Sequence, residues 1–355
     1  MALGVHLNGS IPLPSSEDVF SRIPAALPGR LKRLPDGEPE IRQLFVFFQL
    51  AVFNAYPEIQ KQYDAETNVI PPKSLPTKAD LEALTKTLAG ADKQLATTYD
   101  DHALSSYQKF VKARAEGKIP PGVKFQVSLA TPLNVVTMIS EGYQSTVEPF
   151  YEAALIRALD NIQDTIPAAD LAIQWDVPSE FAMLEGEAAQ WPHFTPWFGP
   201  DVKGEIIERL VRLVDSVRED VECGLHLCYG DHRHEHFIQP KDAGLLVEVA
   251  NAVRKGVKRT INWIHLPVPK DRLDVAYYEP LKHLDVPAGT DLHLGLVHYD
   301  DLEGTRKRTA CAKNVLDAKN VRFGVATECG MGRTPPEQLE SILEISKAVS
   351  EPYAS

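Results

Sequence analysis

The segment KGEIIERLVRLVDSVRE (Lys203–Glu219), followed after two residues by ECGLHLC (Glu222–Cys228), decides the fold class that the sequence predicts. Ile206, Leu210 and Val214 recur at the spacing of one helix face, which predicts an amphipathic helix. The second segment is a short apolar run, which is typical of a buried strand. A helix that leads directly into a buried strand indicates an α/β unit.

The same alternation of helix and strand continues through the second half of the chain. Strand-like runs occur at Lys124–Ala130, Asp170–Asp176, Glu222–Cys228, Thr260–Leu266, Asp291–Val297 and Val321–Thr327. Helix-like stretches occur at Gln144–Asp160, Lys203–Glu219, Asp242–Lys255, Thr305–Asp317 and Pro336–Val349. Such alternation is typical of parallel βαβ units, and strands that recur about every 30 to 40 residues fit a barrel.

These units predict an α/β protein in which residues 1–355 form a single (β/α)8 TIM barrel. Gly4–Ile11 is the candidate first strand. Residues from about 15 to 116 are predicted to form a helical insertion near the barrel mouth, because Ala79–Leu88 and Leu104–Ala115 have helical patterns within polar sequence. A separate small N-terminal domain is the alternative, although no linker marks a boundary.

Composition and charge argue against several classes of partner. The formal net charge of -12 disfavours binding to nucleic acid or to an anionic membrane surface. No apolar run of about 18 residues occurs and the first residues form no basic region, so we expect neither a membrane span nor a secretory signal. Four cysteines in a chain of this length do not suggest a disulfide framework, which favours a reduced, cytoplasmic protein. The sequence leaves the oligomeric state open.

Residues that titrate or bind metals end five successive predicted strands. They are Asp176, His226 and Cys228, His265, His298, and Glu328 and Cys329. The C-terminal ends of parallel barrel strands converge on one face, where barrel enzymes keep their active sites. A satisfied buried polar group explains any one of these residues, but five such strand ends together favour an active site at that face.

His226 and Cys228 lie two residues apart on one predicted strand, so their side chains point to the same face. Cys329, at the end of a later strand, completes a candidate site of two thiols and one imidazole, ligands that suit zinc or another divalent transition metal. The alternative is that both cysteines are core thiols and that His226 is a satisfied core histidine. Cys223 and Cys311, at a strand start and within a helix, are predicted to be structural.

The segment Gly230-Asp-His-Arg-His-Glu-His236 follows this strand directly. Three histidines at alternate positions are typical of a metal-binding tract, and a solvated loop is the alternative. We expect the solvated loop for His234 and His236. Asp231 and His232 lie nearer the strand end, so either is a candidate for supporting a metal ligand or for catalysis.

Taken together, the strand-end motifs resemble those of cobalamin-independent methionine synthase and of the superfamily that it shares with uroporphyrinogen decarboxylase. The resemblance spans nearly the whole chain and is strongest for the C-terminal catalytic barrel of the synthase. The matching segments are His226-Leu-Cys228, Glu328-Cys329-Gly-Met-Gly-Arg333, Ile173-Gln-Trp-Asp176-Val-Pro178, Gly9-Ser10-Ile-Pro12 and Asp36-Gly-Glu38-Pro-Glu40.

This resemblance implies a zinc site and a binding site for an amino-acid substrate, which in the synthases is homocysteine. The implied zinc ligands are His226, Cys228 and Cys329. The implied substrate contacts are Ser10, Glu38 and Asp176. Arg333, in the matching loop after Cys329, is a candidate for binding a substrate carboxylate.

The chain departs from the family at three functional positions. His265 stands where the family has its remaining zinc ligand, a glutamate, and is therefore the candidate fourth ligand. Two thiolates and two histidines around Zn²⁺ carry no net charge, which favours polarising a bound water or carbonyl over activating a thiolate. Val177 replaces a glutamate, and His298-Tyr-Asp300 matches the family's Asp-x-His with the acidic and basic positions exchanged.

Two kinds of enzyme fit these residues. The first is a zinc-dependent alkyl or methyl transferase acting on a small thiol or amino acid, with His298 or Asp300 moving a proton. The second is a metal-dependent lyase, hydrolase or decarboxylase on a small carboxylate or amino acid, with Asp176 at the amine and His232 or His298 as the acid–base group. A non-catalytic metal-binding barrel is the third interpretation. No dinucleotide or ATP motif occurs, so the expected partner is a small-molecule substrate.

Overall fold

The computed structural model of the chain describes residues 1–61, 74–90, 95–186, 194–230, 236 and 238–354. Its strands are β1 (Ala2–Leu3), β2 (Arg33–Pro35), β3 (Lys124–Ala130), β4 (Leu171–Val177), β5 (Glu222–Leu227), β6 (Trp263–Pro267), β7 (Asp291–Val297), β8 (Phe323–Thr327) and β9 (Ser350–Glu351). Strands β2 to β8 form one parallel sheet in the order of the chain. Strands β3 to β8 correspond to the six predicted runs, with small shifts at their ends.

Helices alternate with these strands. They are α1 (Ser16–Ala26), α2 (Lys78–Leu88), α3 (Tyr99–Ala115), α4 (Pro132–Val136), α5 (Gln144–Thr165), α6 (Ser179–Glu185), α7 (Val202–Asp215), α8 (Gly244–Gly256), α9 (Val275–Tyr278), α10 (Leu302–Leu316) and α11 (Leu339–Val349). Short 3₁₀ helices cover Glu40–Gln43, Phe47–Phe53, Pro57–Ile59, Glu279–His283, Asp317–Lys319 and Pro336–Gln338. The parallel α/β class that the sequence predicts is therefore confirmed. Within the described ranges, every helix is too short or too polar to cross a bilayer.

The sheet holds the chemically active ends of neighbouring strands side by side. Asp176 in β4 pairs with His226 in β5, and His226 pairs with His265 in β6. Cys329 follows directly after the end of β8. Because parallel strands run in the same direction, all these residues lie toward one edge of the sheet.

The N-terminal segment contacts both edges of the seven-stranded sheet. Val5 forms a parallel bridge with Val325 of β8, and backbone hydrogen bonds flank this bridge. Ser10 forms a parallel bridge with Gly37, just after β2. The segment therefore lies between the first and the last strand of the sheet.

The prediction of one regular strand over Gly4–Ile11 was wrong. β1 comprises only Ala2–Leu3 and pairs with β9 at the other end of the chain. Gly4 and Gly9 adopt positive φ values of 74° and 132°, and these conformations interrupt an extended strand. Only isolated bridges remain where the sequence predicts a continuous strand.

The range predicted as a helical insertion, residues 15–116, holds α1, α2 and α3 together with 3₁₀ turns. It also contains β2, which pairs with the start of β3, so part of the range belongs to the sheet. Helix α3 packs against both α1 and α5. The loop after β2 carries Glu38 toward the strand ends, where its charge acts on Asp176.

Polar side chains fill part of the interior between the strands. Arg33 of β2 forms ion pairs with Glu222 at 2.6 Å and with Asp291 at 3.2 Å. His293 of β7 stacks on His6 with 4.9 Å between the ring centres. The ring nitrogens of His293 have no hydrogen-bond partner among the described residues. The strands that carry the site are thus joined by charged and aromatic contacts as well as by apolar packing.

Candidate metal centre

Three side chains from two strand ends form a compact donor group. One ligand atom from each of His226, Cys228 and Cys329 lies within 4.8 Å of the other two. Two thiols and one imidazole are the donors that zinc favours. Ligand bonds of about 2.0 to 2.3 Å are within reach of these side chains after small adjustments. The residues present therefore fit a zinc ion, or a similar transition metal, at this position.

The two thiols of the donor group differ in exposure. Cys228 is buried at the end of β5, whereas Cys329 is partly exposed after β8. The backbone N–H of Gly230 donates to Sγ of Cys228 over 3.2 Å and helps to hold this side chain in place. The hydroxyl of Thr327 donates to the carbonyl of Cys329 over 2.7 Å and fixes the turn after β8. Cys329 is therefore the more accessible of the two thiols.

The other two cysteines have surroundings typical of structural thiols. Cys223 is buried at the start of β5, and burial raises the pKa of its thiol to about 12. Cys311 of α10 donates its thiol hydrogen to the carbonyl of Leu273 over 3.3 Å. None of the four cysteines forms a disulfide. Cys223 and Cys311 therefore serve as matched controls for the two candidate ligands.

His265, the predicted fourth ligand, lies behind His226 and outside the donor group. Its Nδ1 is 2.7 Å from Nδ1 of His226, and its Nε2 is 3.0 Å from the carbonyl oxygen of Thr327. Burial lowers the pKa of His265 to about 3 and that of His226 well below the ordinary value. Both rings are therefore neutral. The structure does not support His265 as a ligand, because protein groups engage both of its nitrogens.

Two carboxyl groups lie beside the thiols. Gln174 donates to Oδ1 of Asp176 over 2.8 Å. Burial raises the pKa of Asp176 well above its ordinary value, and the charges of Glu38 and Cys329 raise it further. Burial likewise raises the pKa of Glu38 to about 8, against the opposing charge of Arg42. Burial and mutual repulsion disfavour the ionised forms of both carboxyl groups, and a bound cation would stabilise these forms. This part of the site therefore favours a cationic ligand.

A tight turn after β2 holds Glu38 in place. Glu38 has a positive φ of 50°, and its backbone N–H donates to Oδ1 of Asp36 over 2.9 Å. Arg42 and Ser106 both donate to the other oxygen of Asp36 over 2.6 Å, so this anchor is itself fixed. A Cβ at Gly9 would lie 3.1 Å from Oε1 of Glu38. Glycine at that position therefore leaves room for the carboxylate.

Ser10, a predicted substrate contact, joins two loops of the site. Its Oγ accepts a hydrogen bond from the backbone N–H of Gly332 over 3.1 Å. A Cβ at Gly330 would lie 2.4 Å from the same oxygen, so the glycines after Cys329 allow close packing on Ser10. Arg333 ends this loop, and its charge lowers the pKa of Glu38. The structure therefore places a cation near the carboxyl pair, while Ser10 connects the loops.

A carboxylate lies between two histidines next to the donor group. Oε2 of Glu328 is 3.5 Å from Nδ1 of His298, and Oε1 is 3.2 Å from Nε2 of His236. His298 donates from Nε2 to the carbonyl of Val268 over 3.1 Å. Burial lowers the pKa of His298, while the charge of Glu328 raises it. His236, for which the sequence predicts a solvated loop, instead packs against Glu328 with its side chain only 7% exposed.

Asp300, a predicted acid–base residue, does not join this group. Asp300 is exposed in the turn before α10, with a positive φ of 52°, and its backbone N–H donates to Ser341 of α11 over 3.3 Å. This left-handed turn directs the segment toward α11, and Glu328 occupies the acidic position beside His298. His232, together with Asp231 and His234, lies outside the described residues.

Glu180 is a buried acid that the sequence patterns did not identify. It lies in α6 and accepts a hydrogen bond from the hydroxyl of Thr131. Its other oxygen has no hydrogen-bond partner among the described residues, and burial raises its pKa to about 7. Its charge also raises the pKa of Asp176. An acidic residue in the first turn of a helix is common, so nothing in the pattern distinguishes Glu180.

No protein-family model and no curated protein matches this sequence. Among solved structures, a methyltransferase from Methanosarcina mazei is similar, with a TM-score of 0.50 and 13% identity, over 98% of this chain and 94% of that chain. A D-psicose 3-epimerase, crystallised in the presence of D-fructose, has a TM-score of 0.34 and 10% identity, over 69% of this chain and 74% of that chain. The likeness to the methyltransferase shows a shared parallel α/β fold across nearly the whole chain.

Proposed function

We propose that this protein is a metal-dependent transferase that moves an alkyl or methyl group to a small thiol bearing an amine. His226, Cys228 and Cys329 would hold a zinc ion or a similar metal. The observation that carries the proposal is the approach of these three donors to within 4.8 Å of one another, with the buried Asp176 carboxyl close enough for Cys329 to raise its pKa. The thiol of a substrate would therefore be held at the metal while Asp176 binds the amine of the same molecule.

A zinc ion with one open position lowers the pKa of a thiol and keeps it ionised near neutral pH. Two thiolates and one neutral imidazole supply such an ion with only three protein ligands. Three protein ligands and one open position are typical of catalytic zinc sites, whereas structural zinc sites have four protein ligands. Cys329 is the partly exposed thiol of this donor group.

The two raised-pKa carboxyls, Glu38 and Asp176, bind the substrate ammonium. A cation between them favours their ionised forms, which burial otherwise disfavours. Arg333, whose charge reaches Glu38, is the candidate contact for the carboxylate of an amino acid. An amino acid with a thiol at the end of its side chain has a sulfur for the metal, an ammonium for Glu38 and Asp176, and a carboxylate for Arg333.

In the reaction, the ionised sulfur forms a bond to the alkyl carbon while the bond from that carbon to the donor's leaving atom breaks. The leaving atom needs a proton, and His298 is the candidate group for proton transfer. Its Nε2 donates to the carbonyl of Val268, and its Nδ1 faces Glu328.

The finer assignment rests on the sequence motifs. The His-x-Cys, Glu-Cys-Gly and Gln-x-Asp segments together resemble cobalamin-independent methionine synthase, and a methyltransferase shares the fold. We also propose that Gly4–Ser10 closes the sheet into an eight-membered barrel. The bridges of Val5 to β8 and of Ser10 to the segment after β2 support that closure.

Cobalt substitution tests the proposed function directly. Co²⁺-loaded protein should change its visible spectrum when L-homocysteine or L-cysteine is added, because a thiolate entering the open position alters the ligand field. 2-Mercaptoethanol, which lacks the amine, should give the same spectral change with about 10- to 100-fold weaker affinity, since it loses the contact with Glu38 and Asp176.

The outcomes separate the proposed function from its alternatives. No spectral response to any thiol, combined with turnover of a small carboxylate alone, would identify a metal-dependent lyase, hydrolase or decarboxylase. The same carboxyl pair and the His298–Glu328 contact serve that reaction. Metal binding without turnover of either substrate class would indicate a non-catalytic metal-binding barrel.

A further inference from the structure

A buried hydrogen-bond path fixes the proton on His265. Its Nε2 lies 3.0 Å from the carbonyl oxygen of Thr327, and a carbonyl oxygen can only accept. Nε2 of His265 must therefore carry a hydrogen. Asn8 donates its amide hydrogen to the same carbonyl over 2.9 Å, which holds this acceptor in position.

The second contact along the path fixes the proton on His226. The backbone carbonyl of Leu227 also lies beside the ring of His265, but the hydrogen on Nε2 is directed to Thr327, so Nδ1 of this neutral imidazole keeps a lone pair. Nδ1 of His226 lies 2.7 Å away and must donate to it. His226 therefore carries its hydrogen on Nδ1 and keeps the lone pair on Nε2. A lone pair on Nε2 is what a metal ligand needs.

We propose that His265 is a positioning residue, which locks His226 in the tautomer and ring orientation that present Nε2 to the metal, and that it is not a fourth ligand. This inference rests on the proposed metal-dependent function. It adds that a hydrogen bond to His265, and not the metal, sets the tautomer and the ring orientation of His226. The donor group is then organised before any metal arrives.

The distances favour positioning over ligation. The 2.7 Å between the two Nδ1 atoms has the length of a hydrogen bond, so His226 engages this nitrogen of His265. The carbonyl oxygen of Thr327 engages the other nitrogen. His265 also lies outside the group formed by His226, Cys228 and Cys329. The same path contacts Thr327, whose hydroxyl fixes Cys329, so it connects the ligands of β5 and β8.

Two substitutions of His265 separate the two roles. His265→Leu removes the acceptor for Nδ1 of His226, whereas the side-chain oxygen of His265→Asn can still accept from it. Zinc affinity, measured by competition with a chromophoric chelator, should fall about 10- to 100-fold in the leucine variant and recover most of that loss in the asparagine variant. His293→Asn is the matched control, because His293 is another buried histidine and none of its contacts among the described residues is with a candidate ligand; its zinc affinity should stay within about threefold of wild type.

Nitrogen-15 spectra of histidine-labelled, metal-free protein test the path without any metal. We expect His226 in the Nδ1–H tautomer in the wild type and a mixture of tautomers in His265→Leu. An Nε2–H tautomer in the wild type would overturn the proposal. Unchanged zinc affinity in both His265→Leu and His265→Asn would also overturn it. The same holds if both variants lose as much zinc affinity as a variant that lacks a cysteine ligand. Absence of zinc binding by the wild type, with the expected tautomer present, would instead overturn the proposed metal-dependent function.

Discussion

Cys228→Ser and Cys329→Ser should each lower the zinc affinity of the protein by about 100- to 4,000-fold. Binding free energies of structural zinc sites are about 10 to 16 kcal/mol, so one of three ligands accounts for about 3 to 5 kcal/mol. Tenfold in affinity corresponds to about 1.4 kcal/mol. A serine hydroxyl does not ionise near neutral pH and does not replace a thiolate as a zinc ligand. Chelator competition at pH 7 measures the change.

The other two cysteines supply the control for this prediction. Cys223→Ser and Cys311→Ser remove a thiol of the same size but should leave the zinc affinity within about threefold of wild type. Cys223→Ser buries a hydroxyl in an apolar position, so its cost should appear in the free energy of unfolding, at about 1 to 3 kcal/mol. Equal zinc loss in all four variants, or in none, would contradict the ligand assignment.

Glu38→Gln should abolish a pH-dependent part of the stability and a proton released on substrate binding. The folded-state pKa of Glu38 is about 8, whereas the carboxyl in an unfolded chain has a pKa of about 4.3. Between these two values the folded protein binds the proton that the unfolded chain has lost. The stability of the wild type therefore falls as pH rises from about 4 to about 8, and glutamine removes this fall.

Thermal unfolding at pH 5 and pH 9 measures that effect. The free energy of unfolding of Glu38→Gln, compared with that of the wild type at the same pH, should be higher at pH 9 than at pH 5 by at least about 1 kcal/mol. This difference corresponds to an increase in relative Tm of about 2 °C or more. Glu40→Gln, an exposed position in the same loop, is the control and should follow the wild type. Parallel pH profiles of the wild type and Glu38→Gln would contradict the assigned burial of Glu38.

Substrate binding offers a second readout of the same group. The ammonium of L-homocysteine favours ionised Glu38, so binding near pH 7 should release about one proton from this carboxyl. Calorimetry in buffers of different ionisation enthalpy counts the released protons. Any proton from the thiol is released in both proteins, so the difference between wild type and Glu38→Gln isolates Glu38. Equal proton release in the two proteins would contradict an amine at Glu38.

The strands and helices of the second half followed from the sequence because their signals are local. Apolar spacing marks α7 and β5 within a few residues of their observed ends. Residues that end parallel strands must share one edge of the sheet, so the grouping of His226 and Cys228 with Cys329 needed only topology. β2 escaped notice because three residues carry too short a pattern.

Other parts of the site depend on side-chain directions that no sequence period encodes. His265 ends its strand as predicted, but its ring turns toward His226 and Thr327 rather than into the donor group. His236 contacts Glu328, and tertiary packing, which no local sequence pattern encodes, decides such a contact. Asp300 is only two residues after His298, yet a left-handed turn places it at the surface.

Zinc K-edge X-ray absorption of the wild-type protein tests the central claim most directly. The account predicts two sulfur neighbours and one imidazole from the protein, with one exchangeable light atom completing four-coordinate zinc. Addition of L-homocysteine should replace the light atom with a third sulfur. A spectrum with two imidazoles that no thiol changes, or protein purified and reconstituted without bound zinc, would contradict a three-ligand site built from His226, Cys228 and Cys329.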